Sequence, residues 1–109
     1  MYTIRPDTRG ESPGSDDIVI DIAGHQVKIG QTEINLTLKE FDLLLLFVKK
    51  KGKLVSRSEI LQKVWGSDHL ENDRTIDIHV CRLRKKIEPN PHCPRRLVSI
   101  RGLGYKLKE

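Results

Sequence analysis

The stretch Arg74-Thr-Ile-Asp-Ile-His-Val-Cys-Arg-Leu-Arg-Lys-Lys86 decides how this chain is read. Stepped at about 100° per residue, Ile76, Val80, Leu83 and Ile87 gather within about 60° of one another and predict a buried stripe. The helix is expected over roughly Arg74 to Glu88, closed by Pro89-Asn90-Pro91, because Pro91 and Pro94 cannot continue it. Its opposite face holds Arg74, Asp77, Ile78, Cys81, Arg82 and Lys85, flanked by Arg84 on one side and Thr75, His79 and Lys86 on the other. An ordinary solvated helix mixes Glu with Lys at four-residue spacing. Here the centre carries one acid among three bases, and leaves an isoleucine and a cysteine in water. A DNA major groove accounts for those exposed apolar groups, and a merely solvated face does not. Arg82 can engage guanine bidentately, Asp77 can accept from cytosine N4, and Ile78 can cover a thymine methyl. Lys85 suits a phosphate, which carries no sequence information.

Toward the C-terminus, Arg96-Leu-Val-Ser-Ile-Arg101, then Gly102-Leu103-Gly104, then Tyr105-Lys-Leu107 reads as a β-hairpin. Arg101 stands beside a turn whose glycines allow another backbone to come close, and an arginine there can enter a minor groove. Toward the N-terminus, Gly66 to Asp73 is polar and reads as a loop, with Asn72 or Asp73 available to cap the third helix. Two capping boxes lie before it. Thr37-Leu-Lys-Glu40 opens a helix whose apolar face is Leu38, Phe41, Leu44, Leu45 and Val48, and which stops at Gly52. Ser56-Arg-Ser-Glu59 opens a shorter one with Ile60, Leu61, Val64 and Trp65, ended by Gly66. Lys53-Leu54-Val55 between them fits a brief strand. Ile18–Ile22, His25–Ile29 and Glu33–Leu36 are β-rich runs at hairpin spacing. Met1 to Asp17 is rich in Pro, Gly, Ser and Asp and reads as a linker or tail, which leaves residues 18–109 as the folded domain.

A chain of 109 residues with 37% apolar side chains supports one small core. Net charge is +5, but residues 74–109 hold ten basic and three acidic residues while residues 1–40 hold four and seven. That asymmetry suits a polyanion partner at the C-terminal third, although a solvated basic face would look the same by charge alone. Two cysteines, Cys81 and Cys93, fit a reducing cytoplasm better than a disulfide framework. The longest apolar run, Leu43–Val48, is too short to span a membrane.

The third-helix string, with Val98-Ser-Ile-Arg-Gly-Leu-Gly-Tyr105 behind it, resembles the effector domain of bacterial OmpR/PhoB-type response regulators. Leu36-Thr-Leu-Lys-Glu-Phe-Asp-Leu-Leu44 and Leu54-Val-Ser-Arg-Ser-Glu-Ile-Leu-Gln-Lys-Val-Trp-Gly66 are similar to its first two helices, and the match runs from about Ile18 to Lys108. The resemblance implies an α+β winged helix-turn-helix: an N-terminal antiparallel sheet, a three-helix core and a C-terminal hairpin wing. It implies base contacts by Asp77, Ile78 and Arg82, a minor-groove contact by Arg101, and phosphate contacts by Trp65, Arg74, His79, Arg84 and Tyr105. Gly66, Ser67, Asp68, His69, Leu70, Glu71 and Asn72 correspond to the segment that meets RNA polymerase in some activators. Tandem direct repeats in double-stranded DNA are the expected target. A receiver domain and a cognate histidine kinase belong with such an effector, and 109 residues have no room for the receiver: either Met1–Asp17 is part of an interdomain linker or the chain is a receiver-less member.

Other functions fit less well. Asp16 and Asp17 lie in the tail, and no nucleophile–base pair or phosphate-cradling loop suggests an enzyme. Cys81, Cys93, His79 and His92 lack metal-ligand spacing, so no metal or cofactor is implied. A winged helix serving only as a protein-interaction module would predict a third-helix face poor in basic residues. The apolar stripes of all three helices are needed for one core, so the isolated chain is expected to be a monomer.

Overall fold

The computed structural model describes residues 2–5, 18–30, 32–66 and 73–108, with Tyr2–Arg5, Asp73 and Arg74 described by their backbone only. The winged helix-turn-helix forms from a four-stranded sheet, three helices and a three-stranded sheet. Strands β1 (Tyr2–Arg5), β2 (Ile18–Asp21), β3 (Gln26–Ile29) and β4 (Thr32–Ile34) make the first sheet in that order. Helix α1 (Leu38–Lys49) follows, then β5 (Leu54–Ser56) and α2 (Arg57–Ile60), which runs on into a π-helical segment, Leu61–Trp65. Helix α3 (Asp73–Ile87) leads to the wing strands β6 (Leu97–Ile100) and β7 (Gly104–Leu107). In the second sheet β7 lies in the middle, antiparallel to both β5 and β6.

The antiparallel pairs β2–β3 and β3–β4 are the meander expected from the spacing of the β-rich runs. The reading of Met1 to Asp17 as tail needs correcting at its start. Tyr2–Arg5 runs parallel to β2, with Tyr2 opposite Ile18 and Arg5 opposite Asp21. Tyr, Thr and Ile favour the pleated geometry, but a four-residue run with no neighbouring partner in sequence gives no alternation to detect. Residues 6–17 of that segment lie outside the described residues.

The core takes Ile18, Ile20 and Val27 from the first sheet, and Val55, Leu97, Tyr105 and Leu107 from the second. Helix α1 fills the middle with Phe41, Leu43, Leu44, Phe47 and Val48, while Leu38, expected on its apolar face, is 62% exposed. The buried arc is wider and shifted because α1 packs against α3, the π-helical segment and both sheets, not against one neighbour. On α3 the buried residues are Ile76, Val80, Leu83 and Ile87, at 2% exposure or less, as the 3.6-residue period predicts.

Helix α1 starts with the full capping box that the sequence indicates and α2 with half of one, while the cap expected for α3 at Asn72 or Asp73 lies outside the described side chains. Thr37 Oγ1 accepts from Glu40 N at 3.2 Å, and Glu40 Oε1 accepts from Thr37 N at 3.0 Å, the full reciprocal box. Ser56 Oγ accepts from Glu59 N at 3.1 Å, while the Glu59 carboxylate is taken by the Lys50 ammonium at the end of α1. Glu40 has a second task. Its carboxylate is 2% exposed and meets Lys86 Nζ at 2.6 Å, which ties α1 to the last turn of α3. Burial pushes the Glu40 carboxyl up. The Lys86 hydrogen bond, the Thr37 backbone and the charges of Lys86 and His79 outweigh it and hold the group below its ordinary 4.5.

A carboxyl whose folded-state value is depressed stabilises the fold above its ordinary value, and the contribution is lost as pH falls through the folded-state value. Glu40→Gln is therefore expected to lower stability by about 1–3 kcal/mol near neutral pH. The gap between variant and parent should narrow steadily as pH falls below 4.5. Urea unfolding at a series of pH values measures both; a gap independent of pH would show that the charge on Glu40 does not matter.

Candidate nucleic-acid interface

Because Ile76, Val80, Leu83 and Ile87 are buried, the opposite face of α3 is turned outward. Asp77, Ile78, Cys81, Arg82 and Lys85 are all exposed, with Ile78 at 43%. Among the described residues, Arg82, Lys85 and Arg101 make no hydrogen bond or ion pair. These three cations are thus available to an external anion. Arg101 lies with Gly102 and Leu103 in the exposed turn of the wing, closed by a bond from Leu103 N to Ile100 O at 2.9 Å.

Trp65, His79 and Arg84, also expected at the interface, are held by the protein itself. Arg84 donates from Nε to Leu97 O at 3.0 Å and from Nη2 to Ser99 Oγ at 3.0 Å, so it ties α3 to β6. Trp65 meets the His79 ring edge-on at 5.1 Å, and Lys39 Nζ lies 5.7 Å from the indole centre. His79 Nδ1 donates to Thr75 O at 2.8 Å, since the carbonyl can only accept. Its Nε2 then carries a proton only in the imidazolium form, so a hydrogen bond from His79 to a phosphate needs the charged ring. Lys86, on the same flank, is taken by Glu40. The side chain of Arg74 and residues 67–72, which include the expected polymerase-contact positions Ser67 to Asn72, lie outside the described residues; Gly66 is described.

Tyr105 is 5% exposed and lies under the surface at which the sequence reading placed it. Its ring meets Phe47 edge-on at 6.4 Å, with the guanidinium carbons of Arg57 and Arg84 each 5.5 Å from its centre. Its hydroxyl donates to Asp77 Oδ1, and Arg57 Nη2 donates to the same oxygen at 2.8 Å. Burial pushes the Asp77 carboxyl up. The bonds from Tyr105 and Arg57, with the charges of Arg57 and Arg84, outweigh it and hold the group below the usual carboxylate range. The same contact, added to burial, raises the Tyr105 hydroxyl. Arg57 was not among the expected site residues. A signal for it existed: a cation in the first turn of a helix faces the positive end of the macrodipole and needs an acceptor elsewhere.

Glu88 stands just past α3. Its carboxylate is 7% exposed and accepts from Arg95 N, Arg96 N and Leu97 N at 2.7 to 3.1 Å. This fixes the entry into the wing. Among the described residues no group of three His, Cys, Asp or Glu could hold a metal, Cys81 and Cys93 are free thiols, and no helix is long and apolar enough to cross a membrane.

Residues 31–107 match the family described as transcriptional regulatory protein, C terminal. The sensory transduction protein RegX3 of Mycolicibacterium smegmatis is 39% identical over 112 residues, covering 96% of this chain and 49% of that protein. The chain spans about half the length of the curated relatives it matches. Among solved structures, the response regulator DrrB, a Thermotoga maritima OmpR/PhoB homologue, aligns with a TM-score of 0.79 and 33% identity over 89% of this chain and 43% of that one. The Klebsiella pneumoniae RstA DNA-binding domain, in complex with the RstA box, aligns with a TM-score of 0.77 and 27% identity over 91% of this chain and 98% of that one.

The two glycines of the wing differ in what they tolerate. A Cβ on Gly104 would stand 2.1 Å from Val55 O, so the close approach that the sequence suggested at this turn is here made to strand β5 of the same chain. A Cβ on Gly102 meets nothing within 4 Å, and only its φ of +78° resists a side chain. Gly102→Ala should cost about 1–2 kcal/mol, whereas Gly104→Ala must part β5 from β7 and should cost clearly more. Thermal melts of the two variants check the order, and equal losses would contradict the packing described.

Proposed function

This chain belongs to the transcriptional regulatory protein C-terminal family, the effector domain of OmpR/PhoB-type response regulators, and on that premise we propose that it recognises double-stranded DNA by sequence. In this reading α3 enters the major groove and the β6–β7 wing meets the minor groove. The observation that carries it is the outward face of α3: unpaired Arg82 and Lys85 beside exposed Ile78 and Cys81. Asp77, Ile78 and Arg82 read base edges, and Arg101 enters the minor groove. Lys85, Arg74, Trp65, Arg84 and His79 address phosphates, while Tyr105 supports the contact surface from beneath. The RstA complex with its box supports this placement by likeness of fold. A protein-interaction module alone would leave the cationic face without a use.

The wider biology follows the relatives, which are about twice as long. A receiver domain, a cognate histidine kinase, a cytoplasmic setting and a contact of residues 66–72 with RNA polymerase are proposed on that ground. One recognition helix spans few base pairs and discriminates poorly alone. The domain is therefore proposed to be a monomer in solution that occupies tandem direct repeats, with receiver contacts raising the effective concentration of the second copy.

Oligonucleotides selected from a random duplex pool provide the target for two tests. In the first, Arg82→Ala should flatten base preference at one position, worth on the order of 1–3 kcal/mol. Lys85→Ala should weaken all sequences alike and reduce the salt slope by about one unit. Anisotropy titrations across ionic strengths separate the two; an Arg82→Ala variant with unchanged sequence preference contradicts the assignment. In the second, gel shifts on one-repeat and two-repeat duplexes, with sedimentation of the free chain, should show a monomer that binds direct repeats with modest cooperativity. A tight DNA-free dimer, or preference for a palindrome, contradicts it.

A further inference from the structure

Asp77 puts a carboxylate on the face proposed to meet DNA. A carboxylate among phosphates is repelled by them, and an unrestrained one can turn away from any base it might read. The structure holds it in place from two other elements. Arg57, the first residue of α2, donates to Oδ1 at 2.8 Å, and the Tyr105 hydroxyl of β7 donates to the same atom. Arg57 also lies over the Tyr105 ring at 5.5 Å, and Arg84 lies over it at the same distance while bound to β6. Both donors converge on one carboxylate oxygen, although the Asp77 side chain stays 49% exposed. The two halves of the helix-turn-helix and the wing therefore meet at this carboxylate.

We propose that Arg57 is a specificity-positioning residue: together with Tyr105 it fixes the Asp77 carboxylate so that Asp77 selects the base opposite it. The inference rests on the proposed reading of α3 as the base-reading helix. With Oδ1 held, the carboxylate presents a fixed acceptor to the groove. Cytosine N4 and adenine N6 can donate to such an acceptor, while guanine O6 and N7 and thymine O4 oppose it. The neighbouring guanidinium groups offset the charge that would otherwise repel the phosphates. The repulsion of acceptor-bearing bases, more than attraction to the right one, supplies the selectivity. Immobilising the side chain before binding also removes part of the ordering cost at the moment of contact.

The test uses the whole chain and duplexes that differ only at the base pair selected by Asp77. Asp77→Ala should lower preference at that pair by roughly tenfold. Arg57→Ala and Tyr105→Phe, which retains the ring, should each lower preference at the same pair by about threefold or more. Neither should lower it further in an Asp77→Ala background, because the effect passes through that carboxylate. Arg57→Lys, which keeps the charge, should restore part of the preference. Urea unfolding of each variant accounts for stability separately. If Arg57→Ala and Tyr105→Phe weaken all four base pairs equally, or alter stability alone, while Asp77→Ala changes the preference, Arg57 is a phosphate contact or a structural brace and the proposal is overturned. If Asp77→Ala changes preference at no position, the base-reading role of Asp77 fails first, and the proposal with it.

Discussion

Burial of Ile76, Val80, Leu83 and Ile87 against the core sets the rotation of α3 about its axis, and the character of the outer face follows from that rotation. Fully burying an aliphatic side chain of this size is worth about 1.5–3 kcal/mol. An exposed ion pair contributes about 0–1 kcal/mol. No arrangement of the surface charges could therefore turn the helix against four buried aliphatics. Cys81 and Ile78 are outward because Val80 and Leu83 are inward, and the exposure of Arg82 and Lys85 has the same origin. The cationic surface is a consequence of core packing.

Polar contacts then join this helix to its surroundings at defined points along its length. Near its start, Asp77 receives Arg57 from α2 and Tyr105 from β7. In its last turns, Arg84 binds the backbone and Ser99 of β6, and Lys86 binds the buried Glu40 of α1. Just beyond it, the Glu88 carboxylate gathers three backbone N–H groups at the entry to β6. Burying a carboxylate is costly unless its lone pairs are satisfied. Glu88 and Glu40 meet that demand by fixing the position of the wing and of α1 relative to α3. The wing and α3 are thereby held as one surface, as the proposed reading of two grooves of one duplex requires.

The relation to the longer regulators gives this rigidity a use. The chain matches about half of RegX3, and the fold aligns with DrrB over 43% of that protein. In the proposed reading, an effector that keeps its DNA-facing surface assembled by its own contacts leaves to the rest of such a regulator the task of bringing copies together.

Much of this was legible in the residues. The buried stripe of α3, its cationic outer face and the caps at Thr37 and Ser56 depend on periodicity and on contacts within four residues, which local geometry dictates wherever the chain folds. The wing was legible for the same reason. Strand β1 was not, since four residues without a partner nearby carry no pattern. Nor could the sequence show that Tyr105 lies beneath the surface, that Gly104 is required by the backbone of Val55, or that Glu88 organises the wing. Asp77 lies 20 residues from Arg57 and 28 from Tyr105. Period and propensity describe one element at a time, so the sequence by itself determined the helices, the meander, the wing, the outward face of α3 and the family. Only the tertiary structure decided which polar groups meet across elements, because those meetings depend on how α2, α3 and the wing pack around one core.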